Sequence, residues 1–140
     1  MTLAELRALA LGAGFVNPSL AAAVAMAESG GDPHAQGDPR GAFLAAPNGA
    51  STSFGLWQIH VPAHPQYDAQ SLLDPLYNAA AALSISSGGR SWSAWSTYTD
   101  GSYAQYMPGA ASATQAAIGL FAAAAGGVLL SRRRPRSPLF

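Results

Sequence analysis

The chain contains two glutamates, Glu5 and Glu28, and only one of them lacks a local structural explanation. Thr2 and Glu5 have the spacing of a capping box, in which each side chain satisfies a free backbone N–H of the other residue. Glu28 closes an apolar segment, Ala21-Ala22-Ala23-Val24-Ala25-Met26-Ala27, and precedes Ser29-Gly30-Gly31. A carboxyl there is expected to be partly desolvated and to sit at the negative end of a helix dipole. Both effects raise its pKa and suit it to act as a general acid near neutral pH. A surface glutamate in a last helical turn is the competing explanation, and helix position does not choose between them. His60-x3-His64 invites a metal reading, but Pro62 and Pro65 prevent the helix that would align both rings and no third ligand is evident. No metal and no cofactor are expected.

The elements that must position these residues are mostly helical. A first helix is expected from the Thr2 cap through Leu11, burying Leu3, Leu6, Leu9 and Ala10 and ending at Gly12 and Gly14. Asn17-Pro18 reads as a second helix start, with Asn as cap and Pro at the first helical position, running to Ser29 and stopping at Gly30-Gly31. Residues 30–53 read as loop, with two Gly-Asp-Pro triplets and Pro47-Asn48-Gly49. A short apolar element, Phe54 to Ile59, follows. Asp74-Pro75 opens a third helix that ends before Gly88-Gly89, and an aromatic segment runs from Trp92 to Tyr106. No strand pattern of any length appears.

Composition sets the boundaries. A length of 140 residues supports about one domain. With no cysteine there is no disulfide scaffold, cysteine nucleophile or thiolate zinc site, while the compartment stays open. The neutral total charge hides a segregation. Residues 1–100 carry seven acids against three arginines, a net −4, and Arg132, Arg133, Arg134 and Arg136 make the last nine residues +4. An acidic domain with a basic tail argues against nucleic acid as the main partner. Residues 113–130 are apolar apart from Thr114 and Gln115, close to the roughly 20 residues that a bilayer span needs. The arginine cluster behind them is what a cytoplasmic flank presents. A transmembrane helix is expected there, with a small-residue face at Gly119, Ala123 and Gly127 for helix–helix or virion-protein contacts. A buried helix of the globular domain is the alternative. The expected organisation is a domain at 1–107, a linker and transmembrane helix at 108–131, and a basic tail at 132–140.

Four ordered motifs carry a family resemblance over roughly residues 3–107. Glu28-Ser29-Gly30-Gly31-Asp32-Pro33, Ser53-Phe54-Gly55-Leu56-Trp57-Gln58-Ile59, Asp74-Pro75-x-x-Asn78-Ala79 and Trp92-x-x-Trp95-x-x-Tyr98 together resemble the lysozyme-like transglycosylases and the related goose-type lysozymes. The resemblance implies a mainly α, small lysozyme-like helical domain whose cleft binds peptidoglycan glycan strands. Glu28 matches the family's catalytic acid, and Ser53 and Gln58 match polar residues beside the sugar's N-acetyl group. Tyr98 matches the tyrosine of the closing segment, although Ser96-Thr97-Tyr98-Thr99 departs from the family's usual Ala-Tyr-Asn-Ala-Gly. His60 is expected to border the cleft. Trp95 is expected to stack on a sugar face, and an aromatic pair such as Trp92 and Trp95 also reads as core.

The chemistry that the resemblance implies is cleavage of the MurNAc–GlcNAc β-1,4 bond. A two-carboxylate glycosidase needs a second group about 5–9.5 Å from the acid. Asp74 reads as a helix cap, and Asp32 and Asp38 lie in turn triplets. A single-acid lytic transglycosylase is therefore the first expectation. A hydrolytic lysozyme using Asp32 or Asp38 is the second, and a non-catalytic glycan-binding or structural membrane-anchored virion protein is the third. The first six residues lack the basic start and apolar run of a secretory signal. With the expected tail, this points to a membrane-anchored enzyme carried by a phage particle and acting on the host wall. Asp100-Gly101-x-Tyr103 likewise resembles lysins of GC-rich phages.

Overall fold

Three helices begin where a short polar side chain can satisfy a free backbone N–H. In the computed structural model, which describes residues 1–37 and 51–110, helix α1 spans Leu3–Ala13, α2 Pro18–Ser29 and α3 Pro75–Ile85. At α1 the Thr2 N–H donates to Glu5 Oε2 at 2.7 Å and the Glu5 N–H to Thr2 Oγ1 at 3.3 Å. The Thr2 backbone bond, then its hydroxyl, holds the Glu5 carboxyl below the usual glutamate range. Asn17 Oδ1 accepts from the Leu20 N–H at 3.0 Å, and Asp74 Oδ1 from the Tyr77 N–H at 2.9 Å. Pro18 and Pro75 occupy first-turn positions, where a missing N–H is harmless.

The ends differ slightly from expectation. Gly12 remains helical, and α1 runs two residues beyond Leu11, to Ala13, before Gly14 adopts φ 96°. Leu6 and Ala10 are buried and Leu9 packs partly against the core, but Leu3 in the first turn is exposed. Helix α2 stops at Gly30, as its glycine pair suggests.

Phe54 to Ile59 forms a structure that the sequence does not announce. Ser53–Phe54 (β1) and Ile59–His60 (β2) make an antiparallel hairpin with Ser53 opposite His60 and Phe54 opposite Ile59. Two residues per strand are too few to display the alternating pattern by which strands are recognised. The segment before it joins on: the Gly37 N–H donates to the Ser53 carbonyl at 3.0 Å and the Gly55 N–H to the Ala35 carbonyl at 2.8 Å.

Asn78 ties this hairpin to α3. Its Oδ1 accepts from the Trp57 N–H at 2.9 Å, and its Nδ2 donates to the carbonyls of Phe54 and Leu72 at 2.9 Å each. Gly55 packs so closely here that an added Cβ would collide with the Leu72 carbonyl and the Asn78 amide. Around this junction lies the core of Leu6, Val24, Leu56, Trp57, Ile59 and Leu72. Phe15 stacks between Trp57 and Trp92, with centroids 5.5 and 5.7 Å away. The small face of α2 (Ala21, Ala22, Ala23, Val24 and Ala25) is wholly buried and lets its neighbours approach closely. A short helix α4, Ser96–Thr99, and a 3-10 helix, Ser102–Tyr106, pack against α2.

Met1–Pro108 form one compact, mainly helical unit. Among the described residues no helix is long and apolar enough to cross a membrane. The expected span at 113–130 and the basic tail lie outside the described residues.

Replacing Asn78 by alanine leaves three backbone groups without partners at the junction of hairpin and α3. The expected loss is about 2–4 kcal/mol of unfolding free energy, read by chemical denaturation. A loss below about 1 kcal/mol would show that the junction does not depend on this side chain.

Candidate active site

Glu28 lies in the last turn of α2, and its immediate successors shape that helix end. Ser29 Oγ donates to the Ala25 carbonyl at 2.9 Å and accepts from the Gly31 N–H at 3.2 Å, so the hydroxyl closes the turn. Gly30 and Gly31 follow with φ of 65° and 81°, and a Cβ on Gly31 would collide with the Met1 carbonyl. The Glu-Ser-Gly-Gly string thus ends the helix directly behind the carboxyl and turns the chain away from it. Glu28 is 8% exposed. Thr97 Oγ1, on α4, donates a 2.7 Å hydrogen bond to Glu28 Oε1. The carboxyl is thus withdrawn from bulk water and held by a donor from another helix.

The hairpin carries a second group of polar side chains. Ser53 is buried, and its Oγ stands 3.3 Å from Nδ1 of half-buried His60 across the strand pair. Gln58 has φ 44°, and its Nε2 donates to the Ala35 carbonyl at 3.0 Å and to the Gly55 carbonyl at 2.9 Å. Both amide protons are thereby committed to holding residue 35 on the hairpin turn. Only the Gln58 carbonyl oxygen remains to meet a ligand, and it can only accept. Segment 31–37 therefore runs from the Glu28 turn to the hairpin and links the two groups covalently and by hydrogen bonds.

The aromatic expectations are met differently. Trp95 is 5% exposed, its ring lies 4.9 Å from that of Trp92, and its Nε1 donates to the Trp57 carbonyl at 2.7 Å. The structure places it in the core, where it anchors the start of α4 and leaves little ring face for a sugar. Tyr98 is half-buried and stacks on Tyr103 with centroids 4.9 Å apart. Thr97, one residue earlier, is the α4 side chain that reaches the acid. Thr97 is not among the residues that the sequence motifs single out. The signal available was the departure Ser96-Thr97-Tyr98-Thr99 itself, which puts a hydroxyl beside the aromatic position.

The described aspartates are engaged close to home. Asp32 is 62% exposed at its side chain and accepts from the His34 N–H at 2.9 Å. Asp68 accepts from Ser71 N–H and Oγ at 2.8 and 2.9 Å, and these bonds hold its carboxyl below the usual range. Asp74 caps α3, and Asp100 accepts from the Ser102 N–H at 2.8 Å. Asp38 lies outside the described residues. Among the described residues no three His, Cys, Asp or Glu gather as metal ligands.

One small helical unit thus holds a buried glutamate at a helix end and a polar hairpin, joined by the hydrogen bonds of segment 31–37. The chain belongs to the lysozyme-like domain family, whose model matches residues 7–97. The matched span takes in Glu28, Ser53, Gln58, His60 and Trp95 and ends on Thr97, leaving Tyr98 just beyond it. Membership suggests glycosidase or lytic-transglycosylase-type activity with peptidoglycan as substrate. No curated protein matches the chain, and no solved structure does.

If Trp95 serves the core, Trp95→Phe removes the bond to the Trp57 carbonyl and should lower stability by about 1–3 kcal/mol. The same variant should bind glycan fragments as the parent does. A stable variant with weakened glycan binding would return Trp95 to the cleft.

Proposed function

We propose that the chain cleaves the MurNAc–GlcNAc β-1,4 bond of peptidoglycan as a lytic transglycosylase, with Glu28 as its single acid and base. The observation that carries this reading is the buried Glu28 carboxyl at the end of α2, hydrogen-bonded by Thr97 inside a lysozyme-like domain. Glu28 gives its proton to the glycosidic oxygen as the C1–O bond breaks and positive charge develops on the muramyl ring. The neighbouring N-acetyl oxygen stabilises that charge, as in substrate-assisted glycosidases. The muramyl 6-hydroxyl then attacks C1, its proton passes to the Glu28 carboxylate, and a 1,6-anhydro sugar forms. Water is not consumed and the acid is regenerated.

The described aspartates support the single-acid form. Asp32, Asp68, Asp74 and Asp100 each accept from a backbone N–H within three residues. Ser53 and Gln58 are assigned to the N-acetyl group. The Gln58 oxygen takes the amide N–H, because its own amide protons are spent on Ala35 and Gly55. His60, which contacts Ser53, and Tyr98, on α4, are assigned to the border of the same cleft. In its setting, the enzyme belongs to a virion-associated protein, with residues 1–107 as the catalytic domain and 113–130 as a membrane anchor. The apolar run followed by four arginines supports the anchor, and the likeness to phage lysins supports the virion.

Glu28→Gln should abolish release of muropeptides from purified peptidoglycan while leaving the folded state unchanged. Asp32→Asn should retain activity within about twofold, since its carboxylate is spent on a turn. Release by Glu28→Gln at the parent's rate would end the single-acid mechanism. A collapse of activity in folded Asp32→Asn would establish a second carboxylate.

A further inference from the structure

We infer that Thr97 is a positioning residue for Glu28: its hydroxyl holds the carboxyl in the orientation for proton transfer and supports the carboxylate left after the proton has gone. The inference rests on the reading of Glu28 as the acid, and deepens it. The contact joins residues 69 positions apart in sequence, at 2.7 Å, across the packing of α4 on α2. A bond of that separation reports the tertiary fold rather than a local turn, unlike the bonds made by the described aspartates.

The placement of Thr97 is itself secured. Trp95, immediately before α4, is pinned by its indole N–H to the Trp57 carbonyl, and Trp57 is pinned to the Ala21 carbonyl of α2. The Tyr98 N–H and the Thr99 N–H both return to the Trp95 carbonyl at 3.2 Å, closing the turn that carries Thr97. The chain of contacts therefore runs from α2 through two tryptophans and back to the last turn of α2, with a hydroxyl at its end. A rigidly held donor restricts the carboxyl's rotation, which is what an acid needs in order to meet a leaving oxygen in one geometry.

The same bond has a definite electrostatic sign. A donor to a carboxylate favours the charged form, so its removal shifts the balance at Glu28 toward the neutral acid. Among the described residues, the elements packed on α2 bear few other charges. On α1, Glu5 is bound to Thr2 and Arg7 is exposed; Tyr98 lies on α4, and Tyr103 and Tyr106 on the 3-10 helix. Beyond the helix end stand the Met1 ammonium, which donates to the Gly31 carbonyl, His34, and Asp32, which accepts from the His34 N–H; beyond α4 stands Asp100, which accepts from Ser102. None of these changes between the parent and a Thr97 variant, so a difference between the two isolates the hydroxyl.

The chain's two glutamates make a direct test possible. The full chain, kept in mild detergent and labelled with carbon-13 at glutamate carboxyls, gives two side-chain signals, and Glu5→Gln assigns them. The Glu28 titration midpoint is expected to rise by about 0.5–1 pH unit in Thr97→Val and to stay at the parent's value in Thr97→Ser. Should the valine variant not fold, Thr97→Ala removes the same donor and is read in its place. In muropeptide release, loss of the hydroxyl should lower kcat roughly tenfold with little change in KM. The pH at which activity falls on the alkaline side should move upward with the titration. Equal midpoints in parent and hydroxyl-less variants, or a serine variant that shifts like valine, would overturn the inference. The titration needs no turnover, so it judges Thr97 even if Glu28→Gln remains active and the enzyme reading fails.

Discussion

A carboxyl buried at the carbonyl end of a helix is an unfavourable object, and the rest of this domain depends on how it is kept there. Desolvation and the helix dipole both oppose its charge, and neither is relieved by the apolar face of α2. One contact that supports the carboxyl there is a hydroxyl brought from 69 positions away in the sequence. That hydroxyl can arrive only if α4 is fixed against α2, and α4 is fixed by Trp95 on Trp57 and Trp57 on Ala21. Trp57 is in turn held through its backbone by Asn78, whose amide also gathers the hairpin and the approach to α3. The acid, the hairpin and the closing segment thus share one hydrogen-bonded framework, and a disturbance at Asn78 or Trp57 reaches Glu28.

This framework recasts several residues that look chemical. Ser29 stands beside the acid but spends its hydroxyl on the helix end. Gln58 spends both donors on the fold and retains one acceptor. Trp95 holds α4 in the core. Most of the polar and aromatic side chains described around Glu28 and the hairpin thus carry structure.

Much of the helical framework was legible because its signals are local. The Thr2–Glu5 box, Asn17-Pro18 and Asp74-Pro75 each act within three residues, and the structure has helices starting at all three. The hairpin was not legible, because two-residue strands leave no periodicity and its geometry depends on the left-handed Gln58 and on Gly55 pressed against Asn78. The burial of Glu28 accords with its place at the end of an apolar helix rather than with a surface glutamate. Thr97 was marked only by the departure at Ser96-Thr97-Tyr98-Thr99, since a bond across 69 residues leaves no trace in spacing. Asn78 lay within a recognised motif, yet its threefold tie between hairpin and α3 emerges only from the tertiary arrangement.

The single-acid chemistry is tested most directly by digesting purified peptidoglycan with the full chain in oxygen-18 water and weighing the released muropeptides. Intramolecular capture by the 6-hydroxyl predicts 1,6-anhydro products, lighter by one water than reducing-end products and free of the heavy isotope. Reducing-end muropeptides bearing one oxygen-18 would contradict it and show that water, activated by a second group, attacks C1.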